Sequence, residues 1–100
     1  MIIGTTPTHT FTIPFDASLI KTVKIVYAQN DVVAFEKRTE DCELQGNTIS
    51  TTLSQEDTFT LNHEYAVQIQ LRVLTTMGQV LSSIVYETGV AQCLDSEVLL

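Results

Sequence analysis

The side chains of this chain that could move protons, bind metals or attack an electrophile are few. They are His9 and His63, Cys42 and Cys93, and two loose groups of acids, Glu40, Asp41 and Glu43, and Glu56, Asp57 and Glu64. Acyl transfer needs a nucleophile held against a base that a third group orients, and the sequence carries no elbow or triad signature of that kind. The nearest approach to a hydrolytic or metal-dependent site is His63 with Glu64 or Asp57. Zinc needs Cys and His ligands at short spacings, whereas Cys42 and Cys93 stand far apart without a CxxC pair. Calcium needs clustered carboxylate and carbonyl oxygens, and neither acidic group has the spacing of a calcium-binding loop. Gly4, Gly46 and Gly78 are isolated, so no phosphate-cradling loop exists. Ser82 and Ser83 read as an outward and inward pair on a strand. No catalytic residue, metal, cofactor or small-molecule substrate is expected.

Charge narrows the partners further. The chain of 100 residues has a net charge of −7, and its only bases are Lys21, Lys24, Lys37, Arg38 and Arg72. Nucleic acid and anionic membrane surfaces both demand a basic face, so neither is an expected partner. The first residues, MIIGTTPTHT, have no basic region followed by a long apolar run, and no stretch approaches the roughly 20 apolar residues of a membrane helix. A soluble product without a secretory signal is expected. Two free, partly buried thiols then follow from a reducing cytosol, with a Cys42–Cys93 disulfide as the alternative.

The elements that position these residues are strands. In Tyr65–Thr75 the odd positions Tyr65, Val67, Ile69, Leu71 and Val73 are apolar or aromatic, and Gln68, Gln70 and Arg72 alternate with them. A period of two over this length predicts a half-buried central strand. Before it, His9, Phe11, Ile13 and Phe15 share one face of a first strand whose end Pro14 places at an edge or bulge. Ile20–Gln29 and Val32–Arg38 flank an Asn30-Asp31 turn, and Cys42–Leu44 and Thr48–Leu53 flank Gly46-Asn47. Ser54 followed by Asp57 is a capping-box pattern, which predicts one helical turn or a corner between two sheets. Thr76–Gln79 makes a turn around Gly78. A last strand is expected from about Val80 to Val90, with Val80, Ile84 and Tyr86 against Leu81 and Val85.

About seven short strands separated by turns predict an all-β, antiparallel sandwich in a single domain. Its expected core holds Phe11, Ile13, Ile25, Tyr27, Ile49, Leu53, Val67, Ile69 and Leu71. The second half, in which a strand ends at Leu53 and a corner loop leads to Tyr65, resembles immunoglobulin-like domains of the fibronectin type III kind. That resemblance implies a tyrosine-corner role for Tyr65, its hydroxyl bonding back to the preceding loop. It implies an architecture and no activity.

A second resemblance spans most of the chain. The stretches GTTPTHTFTIPFDASLIKTVKIVYAQND, EDCELQGNTI, LSQEDTF, VQIQLRVLT and QCLDSEVL resemble small uncharacterised proteins of bacteriophages and prophages of Gram-positive gut bacteria. The resemblance implies a virion component, of the tail, baseplate or head-to-tail region, made in the bacterial cytoplasm. A head decoration protein and a small intracellular regulator binding a host protein are the alternatives.

Interaction is therefore the expected mode of action, with other virion proteins or with further copies of the chain. The candidate interface joins Val80, Ser82, Ile84 and Tyr86 of the last strand to Leu94, Val98, Leu99 and Leu100 of the tail. That strand has no proline and only Glu87 as a charge, so little protects its edge. Pro14 and Lys24 are the expected protection in the first half.

Overall fold

The computed structural model describes residues 1–100 throughout. Eight strands are present: β1 (Thr8–Thr12), β2 (Ile20–Gln29), β3 (Val32–Arg38), β4 (Cys42–Gln45), β5 (Thr48–Thr52), β6 (Val67–Thr75), β7 (Val80–Ser82) and β8 (Tyr86–Thr88). One short α-helix, α1 (Gln55–Phe59), and two single 3-10 turns, Ala17–Leu19 and Thr39–Asp41, interrupt them. All strand pairings are antiparallel, in two sheets. One sheet has the order β1-β5-β4, and the other runs β3-β2-β6, with β7 and β8 both paired to β6.

The period of two in β6 is realised as two environments. Val67, Ile69, Leu71, Val73 and Thr75 are buried, and the residues between them are more exposed. Alternation in β2 and β5 likewise buries Val23, Ile25 and Tyr27 on one sheet and Ile49 and Thr51 on the other. Thirteen apolar residues make one core between the layers, among them eight of the nine expected from the sequence. The ninth, Phe11, is half-buried and packs against that core from its open side.

Local chemistry explains the turns. Asn30 and Asp31 have φ of 51° and 62°, the left-handed pair that a two-residue hairpin needs to match strand twist. The Ser54 hydroxyl accepts from the Asp57 amide at 3.0 Å, and the Asp57 carboxylate accepts from the Ser54 amide at 2.9 Å. This capping box starts α1, which carries the chain from one sheet to the other. Thr58 of α1 is fully buried and ties down the first residues. Its hydroxyl accepts from the Gly4 amide and donates to the Thr5 carbonyl, both at 2.9 Å.

Three expectations are corrected. Tyr65 lies outside β6, is 46% exposed, and its hydroxyl makes no hydrogen bond. Instead its carbonyl accepts from the Gln29 side chain, which also bonds Asn62 and so closes this corner without a tyrosine. Lys24 sits on β2, between β3 and β6, so it guards no edge and instead pairs with Glu36. The last strand is not continuous: β7 and β8 are separated by Ser83–Val85.

Candidate interaction surface

The break in the last strand is a bulge built by Ser83. β7 pairs Val80 to Ser82 with Leu74 to Arg72, and β8 pairs Tyr86 to Thr88 with Ile69 to Val67. Three residues, Ser83, Ile84 and Val85, therefore stand opposite two, Gln70 and Leu71, and the strand gains one residue. The Ser83 amide donates to the Leu71 carbonyl at 2.8 Å, while its hydroxyl accepts from the Leu71 amide at 3.0 Å. The side chain thus replaces the main-chain acceptor that the extra residue displaces. Gln70 Nε2 adds a bond to the Ser83 carbonyl at 3.0 Å.

This bulge changes which residues share a face. Leu81 and Tyr86 are an odd number of positions apart and would point oppositely in an unbroken strand. With the extra residue, Leu81 opposes Val73 and Tyr86 opposes Ile69, both of which are buried on the inner face of β6. Both therefore look toward the other sheet. The grouping of Tyr86 with Val80 and Ile84 is corrected accordingly.

Opposite them runs β1, the edge of the three-stranded sheet. Between β1 and β7–β8 the two layers do not close, leaving a groove of about 700 Å³. Its wall on one side is Thr8–Phe15, and on the other Leu81, Ser82, Ser83 and Tyr86, over a floor of Ile69, Leu71 and Val73. Phe11 and Tyr86 meet across it with ring centroids 6.1 Å apart. No carboxylate lines it, although the chain holds 12 acids.

At one end the groove reaches an aromatic stack that joins the layers. Tyr27 is fully buried between Phe35, at 4.6 Å, and His9, at 5.6 Å. Its hydroxyl lies 2.7 Å from His9 Nδ1. Burial, with a smaller contribution from the N-terminal ammonium, lowers the His9 pKa, and burial raises that of the Tyr27 phenol. The imidazole is therefore favoured in its neutral form, and one hydrogen bond joins its Nδ1 to a phenol that keeps its proton. This is a structural clasp between sheets.

The other candidate residues are dispersed. His63 is exposed, and no three His, Cys, Asp or Glu side chains come together to hold a metal. Asp57 is engaged by the Ser54 cap and by Lys37; these bonds outweigh burial and hold its pKa below the ordinary carboxylate value. Asp41 accepts from the Arg38 amide. Cys42 and Cys93 are free and half-buried, and burial pushes the Cys42 thiol up. No helix is long and apolar enough to cross a membrane.

Of the interface residues expected from the sequence, Ser82 and Tyr86 meet at the groove, and Val80 and Ile84 are exposed beside it. The tail residues do not join them. Leu94 is 100% exposed, Leu99 is held through its backbone by the Gln55 side chain, and Leu100 is fully exposed. Sequence reasoning missed Leu81 as a groove residue and β1 as the facing wall. Comparison with protein-family models, with curated proteins and with solved structures yields no match.

Proposed function

We propose that this chain is a non-enzymatic interaction domain of a bacteriophage particle, acting through protein–protein contacts in the tail, baseplate or head-to-tail region. The observation that carries the interaction reading is the open side of the sandwich. There an apolar groove opens between β1 and β7–β8, and Val80, Ile84 and Val85 of the same stretch are exposed, Val80 opposite Leu74 and Val85 beside Gln68 and Gln70 on the outer face. Exposed apolar side chains gathered along one strand beside an apolar groove are a mark of a partner-covered face.

Strand order supports an immunoglobulin-like assignment. In that architecture one sheet runs A-B-E-D and the other contains C, F and G. Taking β1 as B, β5 as E and β4 as D, with β2, β6 and β7–β8 as C, F and G, reproduces the order with position A vacant. The phage setting rests on the resemblance of the stretches quoted above.

Quantitative mass spectrometry of purified particles of the encoding phage tests the setting. A virion component is present at a fixed copy number. Absence from particles, with the protein recovered instead on a host protein, replaces this reading with that of an intracellular regulator.

A further inference from the structure

Building on the reading of the chain as a protein–protein interaction domain, we propose that β1 accepts the Cys93–Leu100 segment of a second copy of the chain as an added strand, which closes the groove.

The edge of β1 is prepared for this. Ile13 donates to Asn47 and Leu53 donates to Pro7, so the pairs that exchange main-chain bonds with β5 are the odd-numbered ones of this strand. The amides and carbonyls of Thr8, Thr10 and Thr12 therefore point to the open edge. No proline and no charged side chain interrupts Thr8–Thr12, and an edge left in this state is a template for another strand. Beneath it lie the apolar floor and the Leu81 and Tyr86 side chains.

The same chain carries a segment that fits. Extended, Cys93–Leu100 places Leu94, Ser96, Val98 and Leu100 on one face and Cys93, Asp95, Glu97 and Leu99 on the other, so both acids lie opposite three of the apolar residues. That is the pattern of a strand buried on one side, yet the segment belongs to no sheet. Its eight residues are enough to pair along all five of Thr8–Thr12. Its two acids would meet no carboxylate there, and pairing along β1 turns them outward to water while Leu94, Val98 and Leu100 face the floor.

Within one copy the segment is routed elsewhere. The Ala91 amide donates to the Met1 carbonyl at 2.8 Å, and the Ile3 amide donates to Ala91 at 3.1 Å. Gln55 then holds Leu99 through two bonds, and no residue of Cys93–Leu100 lines the groove. Lending it to a second copy gives up the exposed Gln55 contact, whose groups water satisfies, and the partial burial of Cys93 and Val98.

Sedimentation of the full chain across a concentration series tests this with two kinds of variant. Leu94→Asp with Val98→Asp spoils the donor at exposed or half-exposed positions. Thr10→Pro spoils the acceptor by removing an amide that points to the open edge, leaving the β5 ladder intact, and Leu81→Glu spoils the groove itself. Wild type should self-associate. Either variant alone should associate about tenfold or more weakly, and an equimolar mixture of donor-defective and acceptor-defective chains should form a complex that stops at two chains. A wild type that stays monomeric, association indifferent to the donor variant, or a mixture that stays monomeric while both variants unfold at the wild-type midpoint would overturn the proposal. A protein found in particles but monomeric overturns this strand exchange alone. Self-association of a protein absent from particles overturns the phage setting alone.

Discussion

The Tyr27 hydroxyl and His9 Nδ1, 2.7 Å apart, form a polar link between the two sheets beside a core of thirteen apolar residues. Because burial lowers the His9 pKa from its ordinary 6.5, the unfolded chain binds a proton more readily than the folded one. The sign follows from linkage: stability is full above about pH 6.5 and falls as pH drops from there toward the depressed folded value. Urea midpoints measured from pH 8 to pH 5 should decline in that window, and NMR should find His9 titrating below 6.5. Tyr27→Phe should cost about 0.5–1.5 kcal/mol, the net worth of one hydrogen bond. A His9 titrating at or above 6.5 contradicts the neutral clasp.

The two faces of β6 should respond very differently to truncation. Ile69 is buried in the groove floor, whereas Gln70 lies on the opposite face and bonds the Ser83 carbonyl. Ile69→Ala should cost about 2–5 kcal/mol and Gln70→Ala about 1 kcal/mol, read as shifts in chemical denaturation midpoint. Equal losses would mean the face assignment is wrong.

Ser83→Ala removes the hydroxyl that accepts the Leu71 amide. A partly buried amide without an acceptor costs about 1–3 kcal/mol, and amide exchange at Leu71 should accelerate. Ser83→Thr keeps the acceptor and should restore most of the protection. Unchanged exchange in Ser83→Ala would show that the bulge does not depend on the side chain.

Gly4 and Gly46 both have positive φ, 82° and 56°, but only Gly4 has a neighbour in the way. A Cβ there would sit 2.9 Å from the Phe59 ring, while none lies within 4 Å at Gly46. Gly46→Ala should therefore cost about 1–2 kcal/mol from backbone conformation alone. Gly4→Ala should cost more and loosen the Gly4–Thr58 bond, which thermal melts of the two variants would rank.

Much of the fold was legible because period-two patterning and turn residues act locally. Ile20–Gln29, Val32–Arg38 and the Ser54–Asp57 cap follow from neighbours in sequence. The bulge was not legible: Val80–Val90 reads as one strand because Ser83 acts by bonding Leu71, a partner from another strand. The mixture of apolar residues on both faces of that stretch was its trace, since one extra residue inverts the alternation after Ser83. The Tyr65 expectation failed because Gln29, from a distant hairpin, supplies the bonds that the corner needs. The groove escaped notice because it depends on which sheet edges come together, a tertiary fact that no single stretch encodes.

Amide exchange at the edge of β1 measures most directly whether the open side of the sandwich is where another chain binds. In dilute protein the Thr10 and Thr12 amides should exchange freely while those of Phe11 and Ile13, bonded toward β5, are protected. In the assembled state Thr10 and Thr12 should become protected and the edge of β3 should not change. Protection that appears on β3, or Thr10 and Thr12 amides that exchange equally fast in both states, would contradict it.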